Sequence, residues 1–427
     1  MKKIILFLSI LIAGIYLSNF IGAITVTKNS GEVLDNSIWT NISSLTNKVD
    51  VSSSDIKLSG KLYVTGDLCT EVGGVKSCLG KCLEDGYKWD SITNSCVAPK
   101  VIKVAGGQYF TAALKEDGSV RTWGYNNYGQ LGRVGDNTKP GKVETISDVK
   151  DIALGMDFMV VLKEDETVRA WGHNDRGQLG NNNKESSSTP VRVKDLTEVV
   201  QIDAGYFHAA ALKRDKTVWS WGENSQGMLG DLSTESSSVP VKSSITDVEY
   251  IGVGQRHTCA IKGASRELWC WGRKNYGAVK GTGNNHTPTQ SPGITGVEKV
   301  AGHRSTVIIK GGSVEAWGRF SSDMTSLTGI TKVDAGRGNI LALKSNGTVW
   351  GGGTYNSSGE LGDGTTDAPT PITQTKKVTG ITDIGAGRYH GIAVDGNGKV
   401  WVWGKNDNGQ LGTGDDVQYL EPTEIKF

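Results

Sequence analysis

Residues 202–230 read IDAGYFHAAALKRDKTVWSWGENSQGMLG, and this stretch contains three phrases that recur along the chain. The first is a small residue and a glycine, followed after three variable residues by an apolar strand. The second is Trp-Gly, and the third is Gly-x-Leu-Gly. A Ser/Thr/Asn-rich loop and a proline then precede another short strand. Four short strands joined by glycine turns are typical of one propeller blade.

The first phrase occurs seven times. Subtracting the positions of its successive glycines gives spacings of 48, 50, 49, 48, 34 and 51 residues. No segment shows the 3.6-residue period of an amphipathic helix. The sequence therefore predicts an all-β fold, a seven-bladed β-propeller over residues 101–427. The aligned glycines are Gly107, Gly155, Gly205, Gly254, Gly302, Gly336 and Gly387.

Two units are irregular. The fifth is shortened after Trp317, and the sixth has Gly352 where the other units have their main tryptophan. The tryptophans that keep this repeat position are predicted to pack between blades and not to hold a ligand. They are Trp123, Trp171, Trp221, Trp271, Trp317 and Trp403.

The two ends of the repeat region suggest a closure mechanism. The chain ends in a proline strand with no further unit after it, whereas the unit that starts at Val101 lacks a preceding proline strand. We therefore expect Glu421–Phe427 to complete the blade that begins near Val101. Such a closure would leave few exposed strand edges.

The N-terminal residues read as a targeting segment. Lys2 and Lys3 precede an apolar run from Ile4 to Leu17, which predicts a signal peptide over residues 1–23. The run is shorter than the roughly 20 residues that span a bilayer, and an uncleaved anchor is the alternative. A polar spacer or stalk is predicted over 24–68 and a small cysteine-rich segment over 69–100. The protein is expected to be secreted or to lie at the cell surface or envelope.

The six cysteines agree with an exported protein, where disulfides are favoured over metal binding. Cys259 and Cys270 flank a turn near Ala264-Ser265, and a two-residue turn would place them directly opposite each other. We predict that they form a disulfide. The remaining four can pair in three ways, which the sequence leaves open. They are Cys69, Cys78, Cys82 and Cys96.

Charge and motifs exclude several functions. Lys plus Arg is 46 and Asp plus Glu is 45, so the chain lacks the basic excess of a nucleic-acid-binding domain. Membrane contact is expected only through an uncleaved anchor. Carboxylates lie at hairpin turns, where Asp is favoured for local reasons. No catalytic triad or phosphate loop is present, so no enzyme activity, cofactor or metal is predicted. His208, His257 and His390 share a strand-start position that holds phenylalanine in other units, which indicates a structural role.

The variable loop positions carry the functional prediction. The loop after the repeat glycine and the loop after Trp-Gly should lie on the same face, because the strands between them run antiparallel. Aromatic residues and arginines are over-represented there, and these residue types dominate binding hot spots. We predict a site for a protein or a surface glycan, with a cationic sector. Its residues are Tyr109, Tyr206, Phe207, Arg256, Arg304, Arg337, Arg388 and Tyr389.

These phrases resemble the regulator of chromosome condensation repeat family. The resemblance extends over Val101–Phe427 and is clearest at Trp171–Gly180 and Trp403–Gly412. It implies a seven-bladed propeller. The family's founding activity is nucleotide exchange on a nuclear GTPase by a protein bound to chromatin, and this role conflicts with an export signal and a neutral charge. Similarity to exported bacterial and archaeal members implies an extracellular binding module, and some of those members inhibit proteins.

The sequence therefore predicts an extracellular or envelope-associated binding scaffold that recognises a protein or glycan through one propeller face. A secreted polysaccharide-active enzyme is one alternative, although it would require clustered carboxylates on one face. A structural component of a cell-surface assembly is the other, and the predicted stalk is its only support.

Overall fold

The computed structural model describes residues 97–274, 286–318, 324–367 and 372–427 in full, and the backbone of short strands nearer the N-terminus. The chain separates into two compact units, Met1–Pro99 and Lys100–Phe427. The predicted signal peptide and much of the predicted stalk lie outside the described residues. Within the described part of the chain, no helix is long and apolar enough to cross a membrane.

The first unit contains three antiparallel hairpins. The register of the second places Cys69 opposite Cys78 along the backbone. Cys82 lies outside the described residues, so the pairing of these cysteines stays a prediction. The hairpins are β1 (Val49–Ser52) with β2 (Asp55–Leu58), β3 (Cys69–Val72) with β4 (Val75–Cys78), and β5 (Lys88–Asp90) with β6 (Ser95–Val97).

The second unit is a ring of seven antiparallel sheets, which confirms the predicted seven-bladed all-β propeller. Blade 1 comprises β7 (Val101–Gly106), β8 (Phe110–Lys115), β9 (Val120–Gly124) and β10 (Gly141–Lys142). Blade 2 comprises β11 (Val149–Leu154), β12 (Phe158–Lys163), β13 (Val168–Gly172) and β14 (Ser187–Arg192). Blade 3 comprises β15 (Val199–Ala204), β16 (His208–Lys213), β17 (Val218–Gly222) and β18 (Ser237–Lys242). Blade 4 comprises β19 (Val248–Val253), β20 (His257–Lys262), β21 (Glu267–Gly272) and β22 (Thr289–Gln290).

The remaining blades follow the same order from the channel outwards. Blade 5 has three strands in the described residues, namely β23 (Val297–Gly302), β24 (Ser305–Lys310) and β25 (Ser313–Gly318). Blade 6 comprises β26 (Ile330–Ala335), β27 (Asn339–Lys344), β28 (Val349–Gly353) and β29 (Thr373–Gln374). Blade 7 comprises β30 (Ile381–Ala386), β31 (His390–Asp395), β32 (Val400–Gly404) and β33 (Tyr419–Ile425).

The second strand of each blade explains the apolar run after the repeat glycine. In β8 all six residues are buried, and in β12 all but the last. A strand covered by a neighbouring blade on each face has no solvent side, so it reads as continuous apolar sequence and does not alternate. The clusters that result lie between blades. Phe158 of blade 2, for example, packs in one cluster with Ala209 and Trp221 of blade 3.

Tryptophan and Gly-x-Leu-Gly recur together because they bond to each other across the blade boundary. The indole N–H of a buried tryptophan donates to the carbonyl at the variable position of Gly-x-Leu-Gly in the preceding blade. This accounts for two of the three phrases as one repeated contact. The pairs are Trp123 with Gln410 (2.9 Å), Trp171 with Gln130 (3.0 Å), Trp221 with Gln178 (2.9 Å), Trp271 with Met228 (2.7 Å) and Trp403 with Glu360 (2.9 Å).

The boundary between blades 5 and 6 is built differently. Gly352 occupies the tryptophan position of blade 6 opposite Ile340, whereas Trp317 of blade 5 is partly buried against the cluster between blades 4 and 5. An apolar cluster that includes Met324 and Leu327 fills this boundary instead. Blades 5 and 6 therefore associate through hydrophobic packing where other blades add an indole hydrogen bond.

The expected closure by Glu421–Phe427 is wrong. Strand β33 pairs with β32 and is the fourth strand of blade 7, while Gly141–Lys142 completes blade 1. A repeat can be divided into units at more than one point, and the proline strand belongs to the unit before it. The ring closes by contacts between blades 7 and 1. The amide of Val104 donates to Asp383 at 3.0 Å, and the amide of Arg388 donates to Gly107 O at 3.0 Å.

Cys259 and Cys270 lie directly opposite each other in the pair β20–β21, and a disulfide joins them. Lys262 faces Glu267 at the end of the same strand pair. The turn between them contains four residues, 263–266, instead of two, and the register is the same.

Candidate functional site

One mouth of the central channel is organised by a ring of backbone hydrogen bonds. In most blades the residue after the repeat glycine donates its amide to the carbonyl of the equivalent residue in the next blade, at 2.6 to 3.4 Å. In blade 5, His303 N donates to Ser305 O of its own blade instead. The ring holds seven side chains around the mouth in fixed positions. They belong to Gln108, Met156, Tyr206, Gln255, His303, Arg337 and Arg388.

Arg388 lies across this mouth. Its Nη1 donates to Gln108 Oε1 at 2.5 Å, and its guanidinium stands 5.0 Å from the ring centre of Tyr389. The same guanidinium is 5.7 Å from the ring of Tyr206, which belongs to blade 3 on the far side of the ring. Arg388 therefore contacts residues of three blades and narrows the channel entrance.

Arg337 lies next to Arg388 and shares an aromatic partner with it. Its Nη1 donates to the Tyr389 hydroxyl at 2.6 Å. Its guanidinium lies 5.4 Å from the ring of Tyr389 and 5.3 Å from the ring of Tyr355. Among the described residues, neither Arg337 nor Arg388 has a carboxylate within 4.0 Å, and the Nε of each is buried without a hydrogen-bond partner. Positive charge therefore accumulates where blades 6, 7 and 1 meet.

The other two predicted arginines have partners of their own. Arg256 Nη1 lies 3.8 Å from the buried carboxylate of Glu223, and Arg304 Nε donates to Gln255 Oε1 at 2.9 Å. The predicted cationic sector is thus divided. The carboxylate of Glu223 balances the positive charge of Arg256 in blade 4. In blades 6 and 7 no carboxylate among the described residues lies as close to Arg337 or Arg388.

Aromatic side chains continue from the mouth across blades 1 and 2. Tyr389 stacks on Tyr109 with ring centres 5.6 Å apart, and Tyr125 meets Tyr109 edge-on at 6.3 Å. Tyr128 lies 6.4 Å from Tyr125 and 4.1 Å from the ring of His173. These five rings form a connected chain on the predicted face.

The structure brings together most of the predicted site residues. Tyr109, Tyr206, Arg337, Arg388 and Tyr389 form one cluster, and Phe207 lies beside it, with its ring centre 6.1 Å from that of Tyr206. We call the set Tyr109, Tyr206, Arg337, Tyr355, Arg388 and Tyr389 the mouth cluster. Sequence reasoning missed Tyr355 because it lies just after the degenerate Gly351-Gly352-Gly353, where the repeat pattern was lost.

A buried carboxyl group also belongs to this mouth. Asp157 is in the loop after the repeat glycine of blade 2, and burial raises its pKa to about 6. The positive charge of Arg388 acts in the opposite direction but is the smaller effect. Asp157 therefore loses much of its charge near pH 6, which leaves the mouth more positive.

Behind the mouth, the channel is a polar cavity of about 580 Å³ lined by the first strands of the blades. Lys103 pairs with Asp151 of blade 2, and Lys332 pairs with Asp383 of blade 7. These charges join neighbouring blades and need no ligand to balance them.

Two further channel carboxylates bond to backbone. Asp203 accepts the amide of Val253 at 2.7 Å, and Asp334 accepts the amide of Ala386 at 2.8 Å. Burial raises the pKa of Asp203 to about 7 and also raises the pKa of Asp334. Each carboxylate joins two blades, which gives it a structural role.

The histidines likewise connect blades. His390 Nε2 lies 2.9 Å from Thr111 Oγ1, and Thr111 donates its own hydroxyl proton to Gln410 O at 2.7 Å. The threonine oxygen must then accept, so His390 carries its proton on Nε2. Burial lowers the pKa of His390 to about 4, so the ring is neutral at physiological pH. His208 and His257 make the same type of contact with Thr258 and Thr306.

We expect His390→Phe to change the free energy of unfolding by less than about 1.5 kcal/mol, because the same position holds phenylalanine in blades 1 and 2. Thr111 keeps its bond to Gln410 in this variant. His390→Ala should cost more, about 2–4 kcal/mol, through the cavity it leaves. Urea unfolding of both variants, with and without a chelator, measures this. If the chelator lowered the free energy of unfolding of the wild type alone, His390 would hold a metal, and the structural role would be contradicted.

Comparison with known proteins agrees with this architecture. Residues 62–327 match the sequence profile of the RCC1-like domain, and residues 381–410 and 397–427 match the regulator of chromosome condensation (RCC1) repeat. A similar curated protein is the mitochondrial RCC1 domain-containing protein RUG3 of Arabidopsis thaliana. It is 30% identical over 182 residues, which are 42% of this chain and 35% of RUG3.

Two further similar proteins are a human ubiquitin ligase and a yeast protein of solved structure. The probable E3 ubiquitin-protein ligase HERC4 of Homo sapiens is 29% identical over 215 residues, 43% of this chain and 20% of HERC4. The chain thus spans about a third or less of these curated relatives. Yeast RCC1 (Prp20), solved bound to Kap60, is 21% identical with a TM-score of 0.47, covering 76% of this chain and 74% of that one. The profile matches and the seven blades confirm the resemblance found in the sequence, and the chain belongs to the RCC1-like domain family.

Proposed function

We propose that this protein is an exported scaffold that binds a partner protein through the mouth cluster. The observation that carries the proposal is the pair Arg337 and Arg388, whose guanidinium groups lie against three tyrosine rings at the channel mouth and have no carboxylate within 4.0 Å among the described residues. Arginine and tyrosine are among the residue types that dominate protein–protein hot spots.

The rigidity of the site supports binding over a purely solvated surface. Tyr389 is held by its stacking on Tyr109 and by the hydrogen bond from Arg337. Arg388 is held by Gln108. Side chains that are ordered before binding lose less conformational entropy when a partner arrives, so more of the contact energy is available for affinity.

The family supports a protein partner in general terms. Yeast RCC1 (Prp20), which carries the family's name, was solved with Kap60 bound to it, so that relative binds another protein. The E3 ligase activity in the name of HERC4 does not transfer, because only a fifth of that protein is matched. The signal-peptide pattern of residues 1–23 and the Cys259–Cys270 disulfide support a location outside the cell.

A surface glycan is the second candidate. The chain of rings from Tyr389 through Tyr109 and Tyr125 to Tyr128 favours it, since sugars stack on exposed aromatic faces. The rings here pack on one another and Tyr389 is engaged by two arginines, so less ring face is open than a dedicated glycan platform requires. We therefore rank the protein partner first.

The test is capture of partners from an envelope and culture-medium extract with the immobilised full chain. Wild type, the double variant Arg337→Gln/Arg388→Gln, and the control Lys376→Gln/Lys377→Gln are compared by quantitative mass spectrometry. The control removes two charges beside Glu421, at the outer edge of the propeller. We expect proteins that bind wild type and control and fall about tenfold or more with the arginine variant. Identical protein sets for all three baits, or enrichment on a glycan array alone, would refute the proposal.

A further inference from the structure

We infer that the mouth cluster binds side-chain carboxylates of an acidic peptide segment, with Arg337 and Arg388 as the two guanidinium donors. The inference rests on the proposed function and names the chemistry of its partner. It is carried by the unsatisfied donors of the two arginines, the charge balance of the surrounding face and the carboxylates behind the mouth.

Unsatisfied donors are the first argument. The Nε of Arg337 and the Nε of Arg388 are buried, and neither has a hydrogen-bond partner among the residues that the structure describes. A buried charged donor without an acceptor is unfavourable, and an oxyanion placed against the guanidinium group offers it charge-assisted hydrogen bonds. Guanidinium groups also match the planar geometry of a carboxylate, which accepts two parallel hydrogen bonds.

Position is the second argument. Both guanidiniums lie within 5.4 Å of the ring centre of Tyr389, so an anion at the mouth can contact both. The Nη1 of each is already engaged, one by the Tyr389 hydroxyl and the other by Gln108. These contacts fix the planes of the two guanidinium groups at the mouth before a ligand arrives.

Charge balance decides which anion fits. Three other cations of this face have acidic partners, since Arg256 lies 3.8 Å from Glu223, Lys405 lies 2.8 Å from Asp407 and Arg176 lies 3.3 Å from Asp175. Two arginines that have no carboxylate within 4.0 Å in the described part of the propeller suit one or two carboxylates of a ligand. A densely sulfated polymer would need a longer row of unpaired cations, because its affinity depends on the number of charges neutralised.

The channel limits how deeply an anion enters. Asp203 and Asp334 line it and are held by backbone amides instead of lysines. Lys103 and Lys332 of the channel are already paired with Asp151 and Asp383, so a polyanion threaded inwards would meet further acidic groups, and burial of an unpaired charge is costly. The acidic group is therefore expected to stop at Arg388, with the rest of the peptide over Tyr109 and Tyr125.

The experiment is fluorescence anisotropy with the full chain and two labelled, C-terminally amidated peptides. One is a Gly-Asp repeat and the other is the matching Gly-Asn repeat. We expect the Gly-Asp peptide to bind, the Gly-Asn peptide to bind at least about tenfold more weakly, and added salt to weaken the Gly-Asp complex. Amidation excludes the terminal carboxylate as the source of binding.

Variants assign the binding to the two arginines. Arg337→Gln/Arg388→Gln should lower Gly-Asp affinity about tenfold or more, and Lys376→Gln/Lys377→Gln should leave it unchanged. Arg337→Lys/Arg388→Lys keeps the charge without the planar fork and should bind with intermediate affinity. If thermal melting shows that the double glutamine variant does not fold, Arg388→Gln alone is used, since glutamine can still bond to Gln108.

The outcomes are distinct from those of the capture experiment. Equal binding of Gly-Asp and Gly-Asn, unchanged binding by the folded arginine variants, or tighter binding of a heparin oligosaccharide would each overturn the inference. So would failure of the Gly-Asp peptide to bind. In that last case, partner capture that still depends on Arg337 and Arg388 would leave the proposed function standing with a different partner chemistry.

Discussion

Replacing Trp123 with alanine is expected to lower the free energy of unfolding by about 3–5 kcal/mol. The indole is fully buried between blades 1 and 7, in a cluster with Ile392, Val402 and Leu411. Its removal leaves a large cavity and breaks the bond from Nε1 to Gln410 O, 2.9 Å long, at the boundary where the ring closes. Urea unfolding followed by tryptophan fluorescence or circular dichroism measures the change.

Two control variants separate the effect of the cavity from the effect of the lost hydrogen bond. Trp401→Ala removes a half-buried tryptophan of blade 7, which packs on the cluster between blades 6 and 7 and leaves no enclosed cavity, so it should cost clearly less than Trp123→Ala. Trp123→Phe keeps most of the ring volume and loses the hydrogen bond, so its effect should lie between the two. A Trp123→Ala protein as stable as Trp401→Ala would show that the blade 7–blade 1 boundary does not depend on the indole.

Replacing Gly172 with alanine should destabilise the propeller by about 2–5 kcal/mol, through backbone strain and overpacking together. Gly172 has φ of 104°, which L-residues rarely adopt, and an added Cβ would lie 2.5 Å from Asp157 O and 2.7 Å from Phe158 Cα. The clash is with backbone, which cannot rotate away. This close approach explains why glycine follows tryptophan in the second phrase.

The matched control is Gly396→Ala. At that position the nearest atom to an added Cβ is Thr382 Cγ2 at 3.7 Å, and the backbone conformation is one that alanine adopts. Its free energy of unfolding should change by less than about 1 kcal/mol. Both variants are compared by thermal and urea unfolding. Equal stability of Gly172→Ala and Gly396→Ala would mean that the Trp-Gly turn relaxes without cost.

The features within one blade could be predicted from the sequence, because each repeated phrase makes the same contact in several blades. The buried second strands, the tryptophan positions and the opposition of Cys259 to Cys270 depend on spacing within one unit. The way in which the ring closes could not be predicted, because a repeated sequence does not show where one unit begins. The proline strand could therefore belong to the unit before it or to the unit after it. The strand pairing of Tyr419–Ile425 with β32 decided the question.

Strand direction predicted which loops share one face of the propeller, and the variable positions of those loops gave the residue types of the candidate site. Which of its charges are balanced depended on neighbours from other units. Glu223 of blade 3 partners Arg256 of blade 4, and Tyr389 of blade 7 receives the hydrogen bond from Arg337 of blade 6. Contacts between residues of different blades have no fixed spacing in the sequence, so a linear pattern cannot reveal them.

The sequence by itself therefore determined the seven-bladed all-β architecture, because apolar runs, tryptophans and turn glycines repeat at intervals that only stacked blades can satisfy. The tertiary structure alone decided how the ring closes and which arginines keep their charge unbalanced. Those properties arise where blades meet, and the distances across a blade boundary are set by the packing of whole sheets and not by the order of residues within one of them.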